Sequence, residues 1–209
     1  MTRWSIYRGD SLTRKEIAMR KIIEASLIEF GTKGYELAST NSIYKAAGVS
    51  KGSIFLYFKS KAELFYEVFK YYLIILNDEI NKLNFDGIND VFDKMMEVVL
   101  WKMKYFSTRP LESKVLMEAV LSPPKEVEAK IMSHIDELTI LSTSYLFKDI
   151  DMNHFSSDYS KDEVIDYIQI GLNGLQHEII NKGNSFDNYD LVRKKSLKFI
   201  KTLLKGMEK

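Results

Sequence analysis

The residues of this chain that are best suited to bind a phosphate group or a base edge lie between positions 40 and 61. Lys51, Gly52, Ser53, Tyr57 and Lys61 follow one another there. Ammonium and hydroxyl groups hydrogen-bond to phosphate oxygens and base edges, and a glycine lets the backbone come close to a ligand. Each residue alone could be ordinary solvated surface, but the set in this order favours contact with a nucleic acid.

Two short helices joined by a glycine turn are predicted to position these residues. Ile43 supplies an apolar face to the first helix, and Gly48 can adopt the positive φ that ends it. Ser50 can then cap the second helix, whose inward face is formed by Ile54 and Phe58, four residues apart. This pattern is typical of a helix-turn-helix unit.

Three capping boxes, in which a Ser or Thr precedes a Glu by three positions, predict further helix starts at Thr13, Ser60 and Ser160. Gly31 and Gly34 are predicted to end the first of these helices. Amphipathic repeats continue through the rest of the chain, and no stretch has a convincing strand pattern. The sequence therefore predicts an all-α fold of about nine helices.

Composition narrows the class of protein. The chain has 209 residues and no cysteine, which excludes disulfides and thiolate chemistry and fits a reducing compartment. No apolar run approaches the roughly 20 residues that cross a bilayer, and residues 1–12 look like an N-terminal extension without the apolar segment of a signal peptide. We therefore expect a cytoplasmic protein without a membrane partner.

Charge is distributed unevenly along the chain. Residues 1–66 hold 11 Lys and Arg against 6 Asp and Glu, whereas the remainder holds 19 against 23, although the net charge is only +1. A basic N-terminal part indicates a polyanionic partner. The three histidines lack metal-ligand spacing, and no P-loop, dinucleotide fingerprint or Ser-His-Asp arrangement is present. No metal, no cofactor and no enzymatic activity are therefore expected.

Three stretches share their residue pattern with a known family: Ile22–Ser26 with Phe30, Lys33–Tyr35, and Ser39–Leu64. In these stretches, about a quarter of the chain, the protein resembles the tetracycline-repressor (TetR) family of bacterial transcription regulators. The resemblance implies an N-terminal extension at residues 1–12, a helix-turn-helix DNA-binding domain at 13–60, and a helical effector-binding and dimerisation domain at 61–209.

By the same resemblance, the second helix of the helix-turn-helix unit lies in the major groove of DNA. Gly52 lets the backbone approach, Ser53 bonds a base edge or a phosphate, and Phe55 either touches a thymine methyl or only packs. Leu56 departs from the family, which often has a polar or aromatic residue there, so a hydrogen bond is absent at that position. The residues expected to contact DNA are Thr40, Asn41, Lys51, Gly52, Ser53, Phe55, Leu56, Tyr57 and Lys61.

The remainder of the chain is expected to bind an effector. Met and aromatic residues are abundant in its middle helices. Core packing is the default for such stripes, yet an adaptable apolar pocket also suits a small lipophilic ligand. The predicted pocket is lined by a subset of Trp101, Tyr105, Met117, Ile131, Ile135 and Tyr145, with Tyr167 or His177 as polar anchors.

The last two helices carry larger apolar faces than one neighbour requires. In the TetR family the equivalent pair from two subunits forms a four-helix dimer interface, so a homodimer is expected. Packing inside a single subunit is the alternative for each residue. The predicted interface residues are Ile168, Leu172, Leu175, Gln176, Ile179, Leu197 and Ile200.

Together, the patterns and the resemblance predict an all-α, ligand-responsive transcription regulator that binds a palindromic operator in double-stranded DNA as a homodimer. The first hypothesis is a repressor that a small, mostly apolar effector of unknown identity releases from its operator. The alternatives are an activator and a DNA-binding regulator controlled by a partner protein. A helical enzyme that retains a helix-turn-helix unit is disfavoured, because no nucleophile or acid–base pair is evident.

Overall fold

The computed structural model describes residues 13–88, 91–147, 150–181 and 189–209, so the predicted extension at residues 1–12 lies outside the described residues. Within these ranges the chain forms nine α-helices, one 3₁₀ turn at Met152–His154 and no β-strand. This confirms the predicted all-α fold. The helices are α1 (Arg14–Leu37), α2 (Thr40–Ala46), α3 (Lys51–Phe58), α4 (Lys61–Ile80), α5 (Val91–Thr108), α6 (Pro110–Leu121), α7 (Glu128–Phe147), α8 (Lys161–Asn181) and α9 (Tyr189–Lys205).

The helices are divided between two compact units. The first unit runs through Glu79 and adds Arg109–Leu138, and the second comprises Ile80–Thr108 and Thr139–Lys209. The domain boundary predicted at residue 60 follows the sequence motif. Packing adds α6 and nearly all of α4 to the unit that holds the helix-turn-helix helices.

The first helix of the first unit begins as predicted and ends differently. Thr13 and Glu16 form the capping box, in which the Glu16 N–H donates to Thr13 Oγ1 over 3.3 Å and the Thr13 N–H donates to Glu16 Oε2 over 2.8 Å. Gly34 leaves the helical conformation with φ 75° and ψ 166°. Gly31, which was also predicted to end this helix, is helical and buried.

Gly31 is the point at which α6 crosses α1. A Cβ atom added at Gly31 would lie 2.9 Å from the carbonyl oxygen of Leu111 and 3.0 Å from its Cα. Both of these atoms belong to the backbone, so they have little freedom to move away. The absence of a side chain at Gly31 therefore allows the two helices to pack closely.

Aromatic rings fill the core of the first unit beneath the helix-turn-helix unit. The Phe65 ring of α4 lies 5.1 Å from the Phe30 ring and 5.3 Å from the Tyr35 ring, in both cases edge to face. Edge-to-face contacts of this kind stabilise aromatic pairs beyond the burial of apolar area alone. The helices that surround α2 and α3 thus provide a rigid base for them.

The second unit has its own apolar core between α5, α8 and α9. Its largest fully buried side chains include Ile168 of α8 and Ile200 of α9, both at 0% exposure. The capping box predicted at Ser160 begins α8, with the Ser160 N–H donating to Glu163 Oε2 over 2.8 Å. Within the described ranges, none of the helices is both long enough and apolar enough to cross a lipid bilayer.

Candidate nucleic-acid interface

The helix-turn-helix unit is formed by α2, the turn around Gly48, and α3. Ser39 caps α2 by accepting the Asn41 N–H over 3.2 Å, and Gly48 adopts a φ of 66°. Ser50 caps α3 by accepting the Ser53 N–H over 3.3 Å. The turn predicted at Gly48 and the cap predicted at Ser50 are therefore present. The two serine caps satisfy backbone N–H groups that a helix start would otherwise leave unpaired.

The two faces of α3 differ sharply in exposure. Ile54 and Phe58 are 0% and 2% exposed and join the core of the first unit. On the opposite side, Lys51 and Gly52 are exposed, and Leu56 is 76% exposed. The helix therefore presents a short outward surface of one basic, one apolar and one side-chain-free position.

The other predicted contact residues lie around this outward surface. Asn41 is exposed and Thr40 is half-buried at the first turn of α2, while Phe55 of α3 is 45% exposed. Ser53 is half-buried, and its Oγ lies 2.9 Å from Ser50 Oγ. A hydroxyl group has one donor and two acceptor positions, so Ser53 retains capacity for a further hydrogen bond.

Tyr57 and Lys61 have contacts within the protein. The Lys15 ammonium of α1 lies 5.9 Å from the centroid of the Tyr57 ring. The Lys61 ammonium donates to the Glu36 carbonyl oxygen over 3.0 Å and sits 4.6 Å from the centroid of the Tyr35 ring. Lys61 therefore ties the start of α4 to the last turn of α1, in addition to any contact it makes with a phosphate.

A carboxylate that sequence reasoning missed holds the start of α2. Glu29 of α1 accepts the backbone N–H of Ser39 over 3.0 Å and the ammonium of Lys33 over 2.7 Å. Partial burial opposes ionisation of this carboxyl, but the hydrogen bonds from Lys33 and Ser39 outweigh it and hold the pKa below its ordinary value. The Lys33 spacing was visible in the sequence, but the bond to Ser39 depends on the fold.

A second carboxylate supports the bend at the end of α1. Glu118 of α6 accepts the backbone N–H of Tyr35 over 2.8 Å. This N–H follows Gly34, where the helix loses its regular hydrogen bonds, so the carboxylate replaces a missing acceptor. The two residues are 83 positions apart, and no local pattern in the sequence could have paired them.

The predicted effector residues are divided between the two units. Met117, Ile131 and Ile135 belong to the first unit, where Ile131 is fully buried and Met117 Sδ accepts the Ser113 hydroxyl over 3.6 Å. In the second unit the rings of Trp101 and Tyr105 lie 5.1 Å apart. The side chains of Tyr145 and His177 lie outside the described residues. The predicted pocket therefore stays a prediction.

The predicted dimer residues mostly point into their own subunit. Ile168, Leu175 and Ile200 are 0%, 5% and 0% exposed, and Leu197 is half-buried against the core of the second unit. The side chains of Leu172, Gln176 and Ile179 lie outside the described residues. These predicted residues are therefore used, as far as they are described, to pack α8 and α9 together.

A different face of α8 and α9 is apolar and open. Ile170 is 67% exposed and Tyr167 is 44% exposed. They border an open groove of about 400 Å³, whose lining is almost entirely apolar. The groove is lined by Tyr167, Ile170, Gly171, Thr202, Leu203, Gly206 and Met207.

A helix-turn-helix unit with an exposed recognition surface, carried on an otherwise all-α chain, defines a helical DNA-binding regulator. Comparison with known proteins shows which family the helix-turn-helix part of the chain resembles. Residues 22–68 match the family model described as bacterial regulatory proteins, tetR family. This match runs from α1 into α4 and covers 47 of the 209 residues, so this part of the chain is similar to the tetR family.

One curated relative and two solved structures illustrate the similarity. The chain is 39% identical over 59 residues to the uncharacterized HTH-type transcriptional regulator YhgD of Bacillus subtilis (strain 168); the match spans 28% of this chain and 29% of that protein. A TetR-family transcriptional regulator from Mesorhizobium loti has the same fold, with a TM-score of 0.71 and 17% identity over 95% of this chain and 100% of that one.

The second structure is SmeT, the repressor of the Stenotrophomonas maltophilia multidrug efflux pump SmeDEF. It matches with a TM-score of 0.68 and 12% identity over 91% of this chain and 90% of its own. At these identities, both structures show a common fold. The sequence match is concentrated in the DNA-binding helices, and the fold match extends over nearly the whole chain.

Proposed function

We propose that this transcription regulator binds a two-fold symmetric operator as a homodimer and leaves it when a small apolar effector binds. The observation that carries the proposal is the outward surface of α3, where Lys51, Gly52 and Leu56 are exposed opposite a fully packed inner face. An exposed helix of this kind fits the major groove, which is wide enough to admit an α-helix.

The contacts with DNA divide into two kinds. Thr40 and Asn41 at the start of α2, together with Tyr57, Lys51 and Lys61, are suited to hold phosphates, because they offer hydroxyl, amide and ammonium donors. We assign Gly52, Ser53, Phe55 and Leu56 to contacts with base edges. Phosphate contacts set position, and base contacts set sequence preference.

The dimer interface is proposed at the open apolar groove of α8 and α9. Exposed apolar side chains such as Ile170 gain stability when a second copy covers them. A dimer also suits the recognition chemistry, because one short helix reads few bases, whereas two helices about one DNA turn apart read two half-sites. Ile170 shares α8 with the buried Ile168 but is two positions along the helix, so it points to the opposite side.

Replacing Ile170 with Glu tests this interface. The Ile170→Glu variant is expected to sediment as a monomer, because a carboxylate would have to be buried without a partner. Ile28 of α1, which is 59% exposed, provides the matched control, and Ile28→Glu should leave the dimer intact. A dimer of unchanged stability in Ile170→Glu would exclude this face.

Control by an effector is supported by the Met-rich and aromatic composition of α5–α7 and by the family. An effector would shift the population of conformers and so alter the spacing of the two recognition helices. Repression with release is our first hypothesis, and activation or control by a partner protein are the alternatives. We place the regulator in the cytoplasm, where its operator would be.

Fluorescence separates the effector hypothesis from control by a partner protein. The chain has two tryptophans, so in the Trp4→Phe variant Trp101 is the only indole. Titration of this variant with a panel of small apolar compounds should change the Trp101 emission and lower DNA affinity together. A panel that changes neither, while a partner protein from the same cell does lower affinity, would favour the alternative.

Selection of bound DNA from a random library tests the central claim. A two-fold symmetric site, with half-sites about one helical turn apart, is expected. Lys51→Ala should then weaken binding to every sequence and flatten the dependence of affinity on salt, because one counterion-releasing contact is lost. Lys125→Ala, an exposed lysine beyond α6, is the matched control. A library without enrichment would overturn the proposal.

A further inference from the structure

The outermost side chain of α3 is apolar. Leu56 lies two positions from both Ile54 and Phe58, which corresponds to about 200° of helical rotation, so it points directly away from the core that buries them. It is 76% exposed, more than any other large apolar side chain on this helix. Nothing within the described chain covers it.

Gly52 lies on the same exposed side of α3 as Leu56. The two residues are four positions apart and therefore share the outer face of the helix. A Cβ atom added at Gly52 would meet only Ser50 Oγ, at 3.9 Å, so packing within the protein does not require the glycine.

Charged residues at the two ends of α3 indicate which kind of partner covers the Leu56 side chain. Lys51 and Lys59 flank Leu56 and are both exposed. Two ammonium groups on either side of an apolar side chain complement a groove that has phosphates along both walls and an apolar group on its floor. The major groove of DNA has this arrangement, and among the four bases only thymine presents an apolar group there, its C5-methyl.

Resting on the proposed DNA-binding function, we propose that Leu56 reads the C5-methyl group of a thymine in each operator half-site. The contact discriminates without a hydrogen bond, since leucine has no donor or acceptor. Discrimination comes from excluding water between two apolar surfaces, and cytosine offers an amino group at the neighbouring position. Leu56 is thus a specificity-determining residue, and the operator carries a thymine opposite it.

Replacing thymine with deoxyuridine tests this contact, because it removes only the methyl group. In the selected operator, each thymine of a half-site is replaced in turn, and affinity is measured at fixed salt. At one position, the wild-type protein should lose about fourfold in affinity per half-site, the factor for moving one methyl-sized group out of water. In Leu56→Ala this loss should shrink to nearly nothing.

Two variants provide the comparison. Leu37 of α1 is 78% exposed and lies outside the helix-turn-helix unit, so Leu37→Ala should retain the full wild-type response to deoxyuridine. Leu56→Met, which keeps a long apolar side chain, should retain most of it. Far-ultraviolet circular dichroism checks that every variant is folded.

The outcomes separate this inference from the proposed function. If selection enriches no site, the DNA-binding function fails first. If a site is enriched but no thymine responds to deoxyuridine, or Leu56→Ala responds as strongly as the wild type, the Leu56 inference is wrong and the DNA-binding function stands. If the response is lost in Phe55→Ala instead, Phe55 reads the methyl group, and the assignment to Leu56 is overturned.

Discussion

Replacing Gly31 with Ala offers a direct test of the close crossing between α1 and α6. The new Cβ would lie 2.9 Å from the Leu111 carbonyl oxygen and 3.0 Å from its Cα and Cβ. Contacts this short must be relieved, and relief requires the helix backbones to separate, because the closest atoms are not the ends of a flexible side chain. The variant should therefore destabilise the first unit.

Two opposing effects determine how much Gly31→Ala changes the free energy of unfolding. Overpacking costs about 1–3 kcal/mol, while alanine gains about 1 kcal/mol over glycine in a helix interior. The net loss in the free energy of unfolding is expected to reach about 2 kcal/mol at most, which lowers the melting temperature by up to about 8 °C in a chain of this size. DNA affinity should also fall, because the end of α1 supports the start of α2.

Gly52→Ala is the matched control for this measurement. Gly52 is helical, and an added Cβ meets nothing closer than 3.9 Å, so the same substitution should stabilise the free protein slightly. Thermal unfolding without DNA compares the two, and hydrogen exchange should rise in α1 and α6 only for Gly31→Ala. If Gly31→Ala is as stable as Gly52→Ala, the crossing is looser than the structure shows.

Three further predictions concern one buried and two half-buried polar groups of the first unit. Ser26 is 0% exposed, and its hydroxyl lacks a hydrogen-bond partner among the described residues. Ser26→Ala should therefore stabilise the folded protein by about 1 kcal/mol, measured by thermal unfolding. A loss of stability would contradict this prediction. Because folding lowers the pKa of Glu29, this carboxylate adds to the free energy of unfolding above its ordinary pKa of about 4.3, and the addition is lost as pH falls through the folded pKa. Glu29→Gln should therefore flatten the dependence of stability on pH below about pH 4.3. An unchanged slope would count against the Ser39 contact. Burial and the nearby Lys70 lower the pKa of His134, so the free energy of unfolding should fall as pH drops below about 6.5, until the folded pKa is reached. His134→Gln should remove this decrease from urea-unfolding curves measured at a series of pH values. A decrease that persists in the variant would assign it to another group.

Local signals allowed much of the DNA-binding unit to be predicted. Helix caps at Thr13, Ser39 and Ser50 depend on residues within three positions of one another, and Gly48 ends α2 through its own backbone freedom. Alternation of buried and exposed positions along α3 follows from helical periodicity alone. Such features depend on short stretches of chain, so one sequence is enough to find them.

Contacts between distant residues could not be predicted in this way. The hydrogen bond from the Tyr35 N–H to Glu118 joins residues 83 positions apart, and the hydrogen bond from the Lys61 ammonium to the Glu36 carbonyl oxygen joins residues 25 positions apart. Gly31 illustrates the same limit. Its sequence context suggests a helix end, but in the structure it lies against Leu111 and allows α6 to pack closely on α1.

By itself, the sequence determined that the chain is all-α, that α3 begins after Ser50, and which apolar residues repeat along α8 and α9. Only the tertiary structure decided which of those apolar residues face inward: Ile168 and Ile200 are buried in their own subunit, and Ile170 remains exposed. The periodicity of a sequence shows that a helix has an apolar face. Which residues of that face are buried depends on where the neighbouring helices pack. What they leave uncovered is available to a second copy.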